Sequence, residues 1–370
     1  MTPLHALLKT AVELGGSDLH LTTGSPPQAR IDGTLRAIEG PVLGPADTKS
    51  LAYSVLTAAQ KQQFESTFEL DCSFGIDALA RFRCNLFRQR GHVAAAYRVI
   101  PETIKTFDEL GLPAAIAGLS ERARGLVLVT GPTGSGKSTT LATIIDRINR
   151  ERREHILTIE DPIEFIHHHR GCLVNQREIG TDTRSFPAAL RAALRADPDI
   201  VLIGELRDQE TIESALRIAE TGHLTFGTLH TNSAAQTVTR IVDVFPAHQQ
   251  PQIRTQLSLV LEAVVCQALL PRANGHGRVP ALEIMVATPA VRALIRDGKV
   301  HQIYSAMQAG QEKLGMQTMN QSLAMLCRSG LITTEAALAT ASAKEELQEL
   351  IARGARNRHA RGGNLVTSGS

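Results

Sequence analysis

The stretch Gly131-Pro-Thr-Gly-Ser-Gly-Lys137-Ser138-Thr139 decides the fold of this chain. It matches the phosphate-binding pattern G-x-x-x-x-G-K-[ST], which requires a strand before it and a helix after it. An apolar run at 125–129 precedes it, and apolar residues follow at helical spacing: Leu141, Ile144, Ile145 and Ile148. Strand, glycine loop and helix thus occur in the order that points backbone N–H groups and the positive end of a helix at a polyphosphate.

Each position of this phosphate loop has an expected role around a nucleotide. The glycines let the backbone wrap closely, and Lys137 is expected to lie against the β- and γ-phosphates. The Ser138 hydroxyl is expected to ligate Mg²⁺, which prefers oxygen ligands. The predicted cofactor-binding residues of the loop are Gly131, Pro132, Thr133, Gly134, Ser135, Gly136, Lys137, Ser138 and Thr139.

Length and composition limit the class of protein. The chain has 370 residues, more than one hydrophobic core supports, so we expect two domains with accessory segments. Its 43% hydrophobic and 21% charged residues are typical of a soluble globular protein. A net charge of +2 weakens, without excluding, a nucleic-acid motor, which needs a strongly basic track.

Cysteine usage and hydropathy favour a cytoplasmic protein. The 5 cysteines are widely spaced and form no C-x-x-C pair, which favours free thiols over disulfides or a zinc site. No signal-peptide pattern is evident at the N-terminus. The longest apolar segment, interpreted as a helix over about 253–270, contains Glu262 and several polar side chains, so no membrane span is expected.

Residues 1–100 are predicted to form a small α+β domain with an antiparallel sheet. The Asp32-Gly33 pair predicts a hairpin, and alternation near residue 84 places Phe82, Cys84 and Leu86 on one face. The other face is predicted to be basic, with contributions from Arg81, Arg83, Arg88, Arg90 and Arg98. From the residues alone, a solvated sheet face is the simpler interpretation of these arginines. Residues 101–113 are predicted to be a linker.

Residues 114–352 alternate strands and helices, which is typical of a parallel sheet with crossover helices. Buried strands are predicted at 155–159, 200–203 and 224–229, and Asp208 is predicted to cap a helix. From about residue 247 the chain is predicted to be mainly helical, with one strand at 279–286 and a helix opened by Thr288-Pro289. The basic tail, 353–370, is predicted to be disordered.

Polar residues directly after the buried strands are candidates for chemistry, because ligands gather at the carboxyl ends of parallel strands. Glu205 follows the strand at 200–203 and is expected to hold Mg²⁺ through water. Glu160, Asp161 and Glu164 follow the strand at 155–159, and each is a candidate to activate the attacking water.

Histidines lie on both sides of the third buried strand. His230 follows this strand at the position of a γ-phosphate sensor, whereas His223 precedes it. Taken alone, His223 is more simply interpreted as a structural residue. The triplet at 167–169 is interpreted as a solvated loop, because consecutive residues do not converge easily on one metal ion.

Together these motifs resemble the secretion and type IV pilus motor ATPase superfamily over nearly the whole chain. The Walker A motif of that family is similar to 131–138, its Asp box to 158–165, its atypical Walker B motif to 197–208 and its His box to 221–233. The resemblance implies a RecA-like P-loop core, a PAS-like N-terminal domain, a C-terminal helical extension and ATP with Mg²⁺ as cofactors.

The resemblance also implies roles for individual residues. Glu164 becomes the general base, Glu205 lies on the Mg²⁺ side, and His223 and His230 belong to the His box, with His223 expected at the nucleotide. In this family the N-terminal domain sits against the nucleotide of the neighbouring subunit in a hexameric ring. Arg81, Arg83 and Arg98 are therefore expected to act catalytically across that interface.

Within the superfamily the chain resembles the retraction branch. Its N-terminal domain is short, it lacks a four-cysteine zinc element, and 290–298 is similar to the retraction motif of that branch. The implied function is a cytoplasmic motor that is peripheral to the inner membrane. Its implied partners are five more copies of itself, a PilC-like platform protein and, indirectly, pilin, with no nucleic acid. An accessory retraction motor, an assembly or type II secretion motor and a nucleic-acid translocase are the alternatives.

Overall fold

Two β-sheets of different construction organise this computed structural model, which describes residues 3–31, 33–77, 79–100, 103–310 and 314–362. The chain divides into two compact units. The first comprises Met1–Thr103 with Pro162–Ile166, and the second comprises Ile104–Asp161 with His167–Ser370.

The first unit contains a six-stranded antiparallel sheet of order β3-β2-β1-β6-β5-β4. Its elements are α1 (Pro3–Glu13), β1 (Asp18–Leu21), β2 (Gln28–Ile31), β3 (Thr34–Ala37), α2 (Pro45–Tyr53), α3 (Ala58–Thr67), β4 (Glu69–Ile76), β5 (Ala80–Gln89) and β6 (His92–Ile100). Ile31 pairs with Thr34, and Gly33 has a φ of 81°, so the predicted hairpin is confirmed. Asp32 lies outside the described residues.

The alternation predicted along β5 is confirmed. Phe82, Cys84 and Leu86 are fully buried and pack into the core of this unit. Because side chains alternate along a strand, the intervening Arg81 and Arg83 project from the other face.

The second unit contains a seven-stranded sheet of order β13-β12-β7-β11-β10-β8-β9, in which only β13 is antiparallel to its neighbour. The part up to β11 comprises α4 (Phe107–Leu110), α5 (Ala114–Ala117), β7 (Gly125–Thr130), α6 (Lys137–Glu151), β8 (His155–Glu160), β9 (Leu173–Glu178), α7 (Phe186–Ala193), β10 (Ile200–Ile203), α8 (Gln209–Glu220) and β11 (Leu224–Leu229). The rest comprises α9 (Ala234–Asp243), α10 (Gln250–Val260), β12 (Leu261–Pro271), β13 (Arg278–Val286), α11 (Pro289–Arg296), α12 (Ile303–Ala309), α13 (Met319–Arg328), α14 (Thr334–Thr340) and α15 (Lys344–Gly362).

Apolar packing covers both faces of this second sheet. The buried stripe of α6 packs with Val127 and Val129 on one face, while α8, α9 and α10 pack on the other. Asp208 caps α8 by accepting from the Thr211 N–H at 2.9 Å, as predicted. The α/β class is confirmed. Because β7, β8, β10 and β11 are parallel, the polar residues that follow them lie at the same edge of the sheet.

The prediction of one helix over about 253–270 is wrong for its second half. Only α10 is helical there, and from Leu261 onward the chain forms β12, which pairs with β7 on one side and β13 on the other. A continuous apolar run does not distinguish a buried helix from a buried central strand by periodicity. Val264 and Val265, both fully buried and β-branched, suit the strand.

One arginine fastens α11, the helix of the predicted retraction motif. Thr288 caps this helix and Pro289 is its first residue, as predicted. The guanidinium of Arg292 donates to the Ser258 and Leu259 carbonyls at 2.8 Å each and to Glu262 Oε1 at 2.6 Å. It thereby binds the last turn of α10 and the first residues of β12.

The final helix, α15, differs from the sequence prediction. It continues to Gly362, so part of the segment predicted as a disordered tail, 353–362, is helical; the remainder lies outside the described residues. Along the described parts of the chain, no helix has the length and apolar character needed to cross a bilayer.

Candidate functional site

The phosphate loop connects β7 to α6 and has a backbone that glycine makes possible. Gly131 and Gly136 have φ values of 141° and 89°. A Cβ at Gly131 would lie 2.3 Å from the Gln267 carbonyl oxygen, and one at Gly136 would lie 2.7 Å from Gln267 Nε2. Any larger residue at either position would force the loop away from β12.

Gln267 holds the loop from the neighbouring strand. It is 4% exposed, and its Oε1 accepts from the Thr140 hydroxyl at 2.7 Å in the first turns of α6. Sequence reasoning missed this residue because its segment was assigned to a helix. No local pattern distinguishes it, since its role depends on β12 lying beside β7.

Two polar side chains of the loop fit a bound polyphosphate. Lys137 Nζ donates to the carbonyl oxygens of Gly131 at 2.8 Å and Pro132 at 3.1 Å, which holds the ammonium over the loop. Ser135 is 3% exposed, and its hydroxyl oxygen has no hydrogen-bond partner among the described residues. A buried, unpartnered hydroxyl in a glycine-rich phosphate loop suits a phosphate oxygen.

Glu205 and His230 meet at the carboxyl ends of β10 and β11. Glu205 Oε1 lies 3.2 Å from His230 Nε2, and Glu205 Oε2 lies 2.7 Å from Arg207 Nη2. Burial raises the pKa of Glu205, but the hydrogen bond and charge of Arg207, with His230 and Lys137, outweigh it, so the net pKa is lowered. The carboxylate is therefore ionised at neutral pH, as a group that supports Mg²⁺ must be.

A cleft of about 560 Å³ opens beside this pair. Its polar lining includes Glu205, Arg207, His230, Gln236, Arg240 and Asp243. Sequence reasoning assigned roles to Glu205 and His230 but missed Arg207, whose signal was its place two residues after Glu205 in the Walker B-like stretch.

The three carboxylates after β8 have different surroundings. Glu160 is 7% exposed and accepts from the Thr158 hydroxyl at 2.6 Å and from Gln176 Nε2 at 3.2 Å. Both hydrogen bonds go to Oε1 of this buried carboxylate, which disfavours Glu160 as the base. Asp161 and Glu164 are exposed, and Glu164 belongs to the short segment that groups with the first unit.

His223, expected at the nucleotide, lies at the end of β11 that is away from the phosphate loop of its own subunit. His223 lies at the amino end of β11, where its carbonyl accepts from Gly125 N, whereas His230 lies at the carboxyl end. The six residues of β11 separate the two histidines by roughly 20 Å. The ring of His223 lies 3.0 Å, through Nδ1, from the Ile218 carbonyl of α8, which matches the structural interpretation.

In the first unit, register brings two of the predicted arginines together. Arg83 on β5 lies directly opposite Arg98 on β6, and Arg81 is two residues away on the same face. Arg98 Nε is 2.8 Å from Asp18 Oδ1, while Arg83 Nη2 is 4.0 Å from Asp71 Oδ1. Arg81 donates to the Ser73 hydroxyl at 2.6 Å.

Arg88 was predicted on the basic face, but the structure does not place it there. Its position along β5 gives it the opposite parity to Arg81 and Arg83. It forms an ion pair with Glu65 at 2.8 Å and lies over the ring of Phe68.

The residues present fit a nucleotide with Mg²⁺. The loop geometry and the Ser135 hydroxyl suit phosphate oxygens, and Lys137 supplies a cation. Ser138, in the first turn of α6, and the ionised Glu205 offer the oxygen ligands that Mg²⁺ prefers, directly or through water.

Comparison with known proteins places the chain among bacterial motors. Residues 107–358 match the family model for type II/IV secretion system proteins. The chain is 52% identical to the type IV pilus retraction ATPase PilT of Pseudomonas aeruginosa, over 89% of this chain and 95% of PilT. It is 43% identical to the type IV pilus ATPase PilU of the same organism, over 93% of this chain and 90% of PilU.

A solved structure is similar along almost the same length. The crystal structure of the pilus retraction motor PilT with bound ADP superposes with a TM-score of 0.88 at 51% identity. The match covers 94% of this chain and 99% of that one. With its phosphate loop, its Glu205–His230 pair and a family match across more than half of its length, this chain belongs to the type II/IV secretion system protein family.

Proposed function

We propose that this chain is an ATP-hydrolysing motor that powers type IV pilus retraction. The single observation that carries the proposal is the 52% identity to a pilus retraction ATPase across nearly the whole of both chains. The coverage of 89% of this chain and 95% of PilT supports a shared domain organisation. The RecA-like core and the PAS-like N-terminal domain would both take part in the cycle.

The residues that would hold the nucleotide belong to the second unit. Lys137 holds the β- and γ-phosphates, and the loop N–H groups with the Ser135 hydroxyl hold phosphate oxygens. Ser138 and, through water, Glu205 would hold Mg²⁺, which neutralises developing charge on the phosphates when bound. His230, at 3.2 Å from Glu205, is the proposed γ-phosphate sensor.

The water is activated by a carboxylate after β8, and we assign this role to Glu164. The hydrogen bonds of Glu160 support this choice, because they leave that competitor engaged within the sheet. Asp161 remains a competitor to be tested by substitution.

We further propose that the active form is a homohexamer at the inner-membrane base of the pilus machine. There Arg81, Arg83 and Arg98 would face the nucleotide of the neighbouring subunit. A PilC-like platform protein would receive the work, and pilin would leave the fibre indirectly. Five cysteines, all free thiols, agree with the cytoplasmic side of that membrane.

Deleting the gene tests the direction of work. We expect retained pilus fibres that no longer shorten, measured by fluorescence imaging of labelled fibres. Absent fibres would point to an assembly motor, and normal shortening would point to an accessory role.

The nucleic-acid alternative has its own measurement. ATPase activity of the purified protein should be unchanged by added DNA or RNA. Stimulation by nucleic acid with a steep salt dependence would replace the proposal by a translocase.

A further inference from the structure

A buried carboxylate outside the phosphate site joins two helices of the second unit. Glu283, on β13, is 3% exposed. One of its oxygens accepts from the Ala234 N–H at 2.7 Å, and the other lies 3.4 Å from the Met319 N–H. These are the first residues of α9 and α13, so one side chain satisfies an orphan donor at each helix start.

The helix α9 follows the predicted sensor loop, 230–233, without a break. Ser233 caps the helix by accepting from Gln236 N at 3.1 Å, and Gln236 Oε1 in turn accepts from Asn232 N at 2.8 Å. At this junction between loop and helix, the Ala234 N–H donates a hydrogen bond to Glu283, which belongs to the sheet. Glu283 therefore sets where the end of the sensor loop lies relative to β13.

The position of the loop decides the contact between His230 and Glu205. Their 3.2 Å approach joins the end of β11 to the end of β10, and a shift of about 1 Å in a catalytic arrangement can lower a rate by roughly 10²-fold. We infer that Glu283 is a positioning residue, which holds the 230–233 loop in register with Glu205 and links it to the start of α13. This inference rests on the proposed role of His230 in hydrolysis.

The chemistry of Glu283 separates a positioning role from a structural one. Burial raises its pKa, and the two N–H donors only partly offset this, so the ionised carboxylate is costly to keep in the core. Glu283→Gln removes that cost but leaves one acceptor oxygen for two donors. Backbone pairing between Ile284 and Gln317, at 2.8 and 3.0 Å, independently holds the segment before α13. The fold should therefore survive this change.

Glu346, on α15, provides a matched control that also contacts α13. Its carboxylate accepts from Asn320 Nδ2 at 2.6 Å and from the Tyr304 hydroxyl at 2.5 Å. It thus stabilises α13 and α12 without contacting the sensor loop. Glu346→Gln should lower the melting temperature and leave kcat unchanged.

The test is a double-mutant cycle on the full-length protein, measuring kcat, ATP affinity and melting temperature. We expect Glu283→Gln to lower kcat roughly 10-fold with unchanged ATP affinity, and to lower it less than about twofold in a His230→Ala background. Wild-type kcat in Glu283→Gln, equal losses in both backgrounds, or an equal loss of kcat in Glu346→Gln would overturn the inference.

Different results would overturn the proposed function and the inference about Glu283. Wild-type kcat in His230→Ala alone would overturn the sensor role and this inference together. ATP hydrolysis without pilus shortening in the cell would overturn the motor proposal and leave the role of Glu283 standing.

Discussion

The phosphate loop and the arginine face are both candidate parts of one reaction, but they are specified differently. The loop residues are contiguous, and their backbone φ values and the position of Lys137 follow from the local pattern. The arginines share a face through strand register, yet what each contacts depends on residues distant in sequence, such as Asp18 and Asp71. A contiguous motif fixes its own geometry, whereas a sheet face needs tertiary partners to decide which side chain is available.

The strongest test of the phosphate loop, whose geometry is set locally, is Lys137→Ala. We expect hydrolysis to be abolished and nucleotide affinity to fall strongly, because the ammonium over the loop supplies the positive charge for the β- and γ-phosphates. Calorimetric titration with ATP measures the affinity. Wild-type affinity would show that the loop does not bind nucleotide as its pattern indicates.

The strongest test of the arginine face, which depends on tertiary partners, compares two of its arginines. Arg83→Ala should lower turnover by about 10³-fold, and Arg98→Ala by less, because Arg98 already forms a close ion pair with Asp18 while Arg83 is 4.0 Å from Asp71. Arg88→Ala, on the same strand with the opposite parity, is the control and should retain turnover.

Mixed rings then decide whether Arg83 acts across an interface. Combining Arg83→Ala with Lys137→Ala protein should restore activity, because some interfaces join a wild-type loop to a wild-type arginine. Mixed rings that form without any recovery would leave the solvated-face interpretation in place.

Glu164→Gln tests the proposed general base, the carboxylate that follows β8. It keeps the shape of the side chain but removes the base, so ATP should bind while turnover falls by about 10²-fold or more. Asp161→Asn is the matched control and should stay within about threefold of wild type. If the two results are exchanged, Asp161 is the base.

A smaller effect concerns Asp18, the partner of Arg98. Burial raises the pKa of Asp18, but hydrogen bonds from Ser17 and Arg98 and the charge of Arg98 lower it overall. A depressed folded-state pKa stabilises the fold above the unfolded pKa and loses that effect as pH falls below about 4. Asp18→Asn should therefore cost about 0.5–1 kcal/mol at pH 7 and progressively less as pH falls through the folded-state pKa of Asp18, measured by urea unfolding. A cost that does not change with pH would contradict the pairing.

The smallest effect on turnover is expected in α11. Val291 and Ile295 are fully buried in the core, so deleting the helix would disturb the fold. Arg296→Glu changes only its exposed side. ATPase activity should stay within about twofold of wild type while pilus shortening in the cell is lost; retained shortening would remove this surface from the motor function.

Much of the fold followed from the sequence because its determinants are local. The strand before the phosphate loop, the Asp208 and Thr288 caps and the hairpin at Gly33 each depend on neighbouring residues. Segment β12 was misassigned because only its neighbours β7 and β13 make it a strand. Glu283 gave no signal, since its burial and its two N–H partners arise from elements far apart in the chain.

The anchoring of α11 by Arg292 has a mechanical consequence. Arg292 grips Glu262, and a Cβ on Gly125 at the start of β7 would lie 2.5 Å from the Cγ of that same glutamate. The phosphate loop begins at the other end of β7, roughly 20 Å away. Load applied to α11 would thus enter the sheet at the end of a short central strand, opposite the phosphate loop. Such a strand is stiff along its length, so we expect it to act as a strut that transmits displacement to the phosphate loop without first stretching.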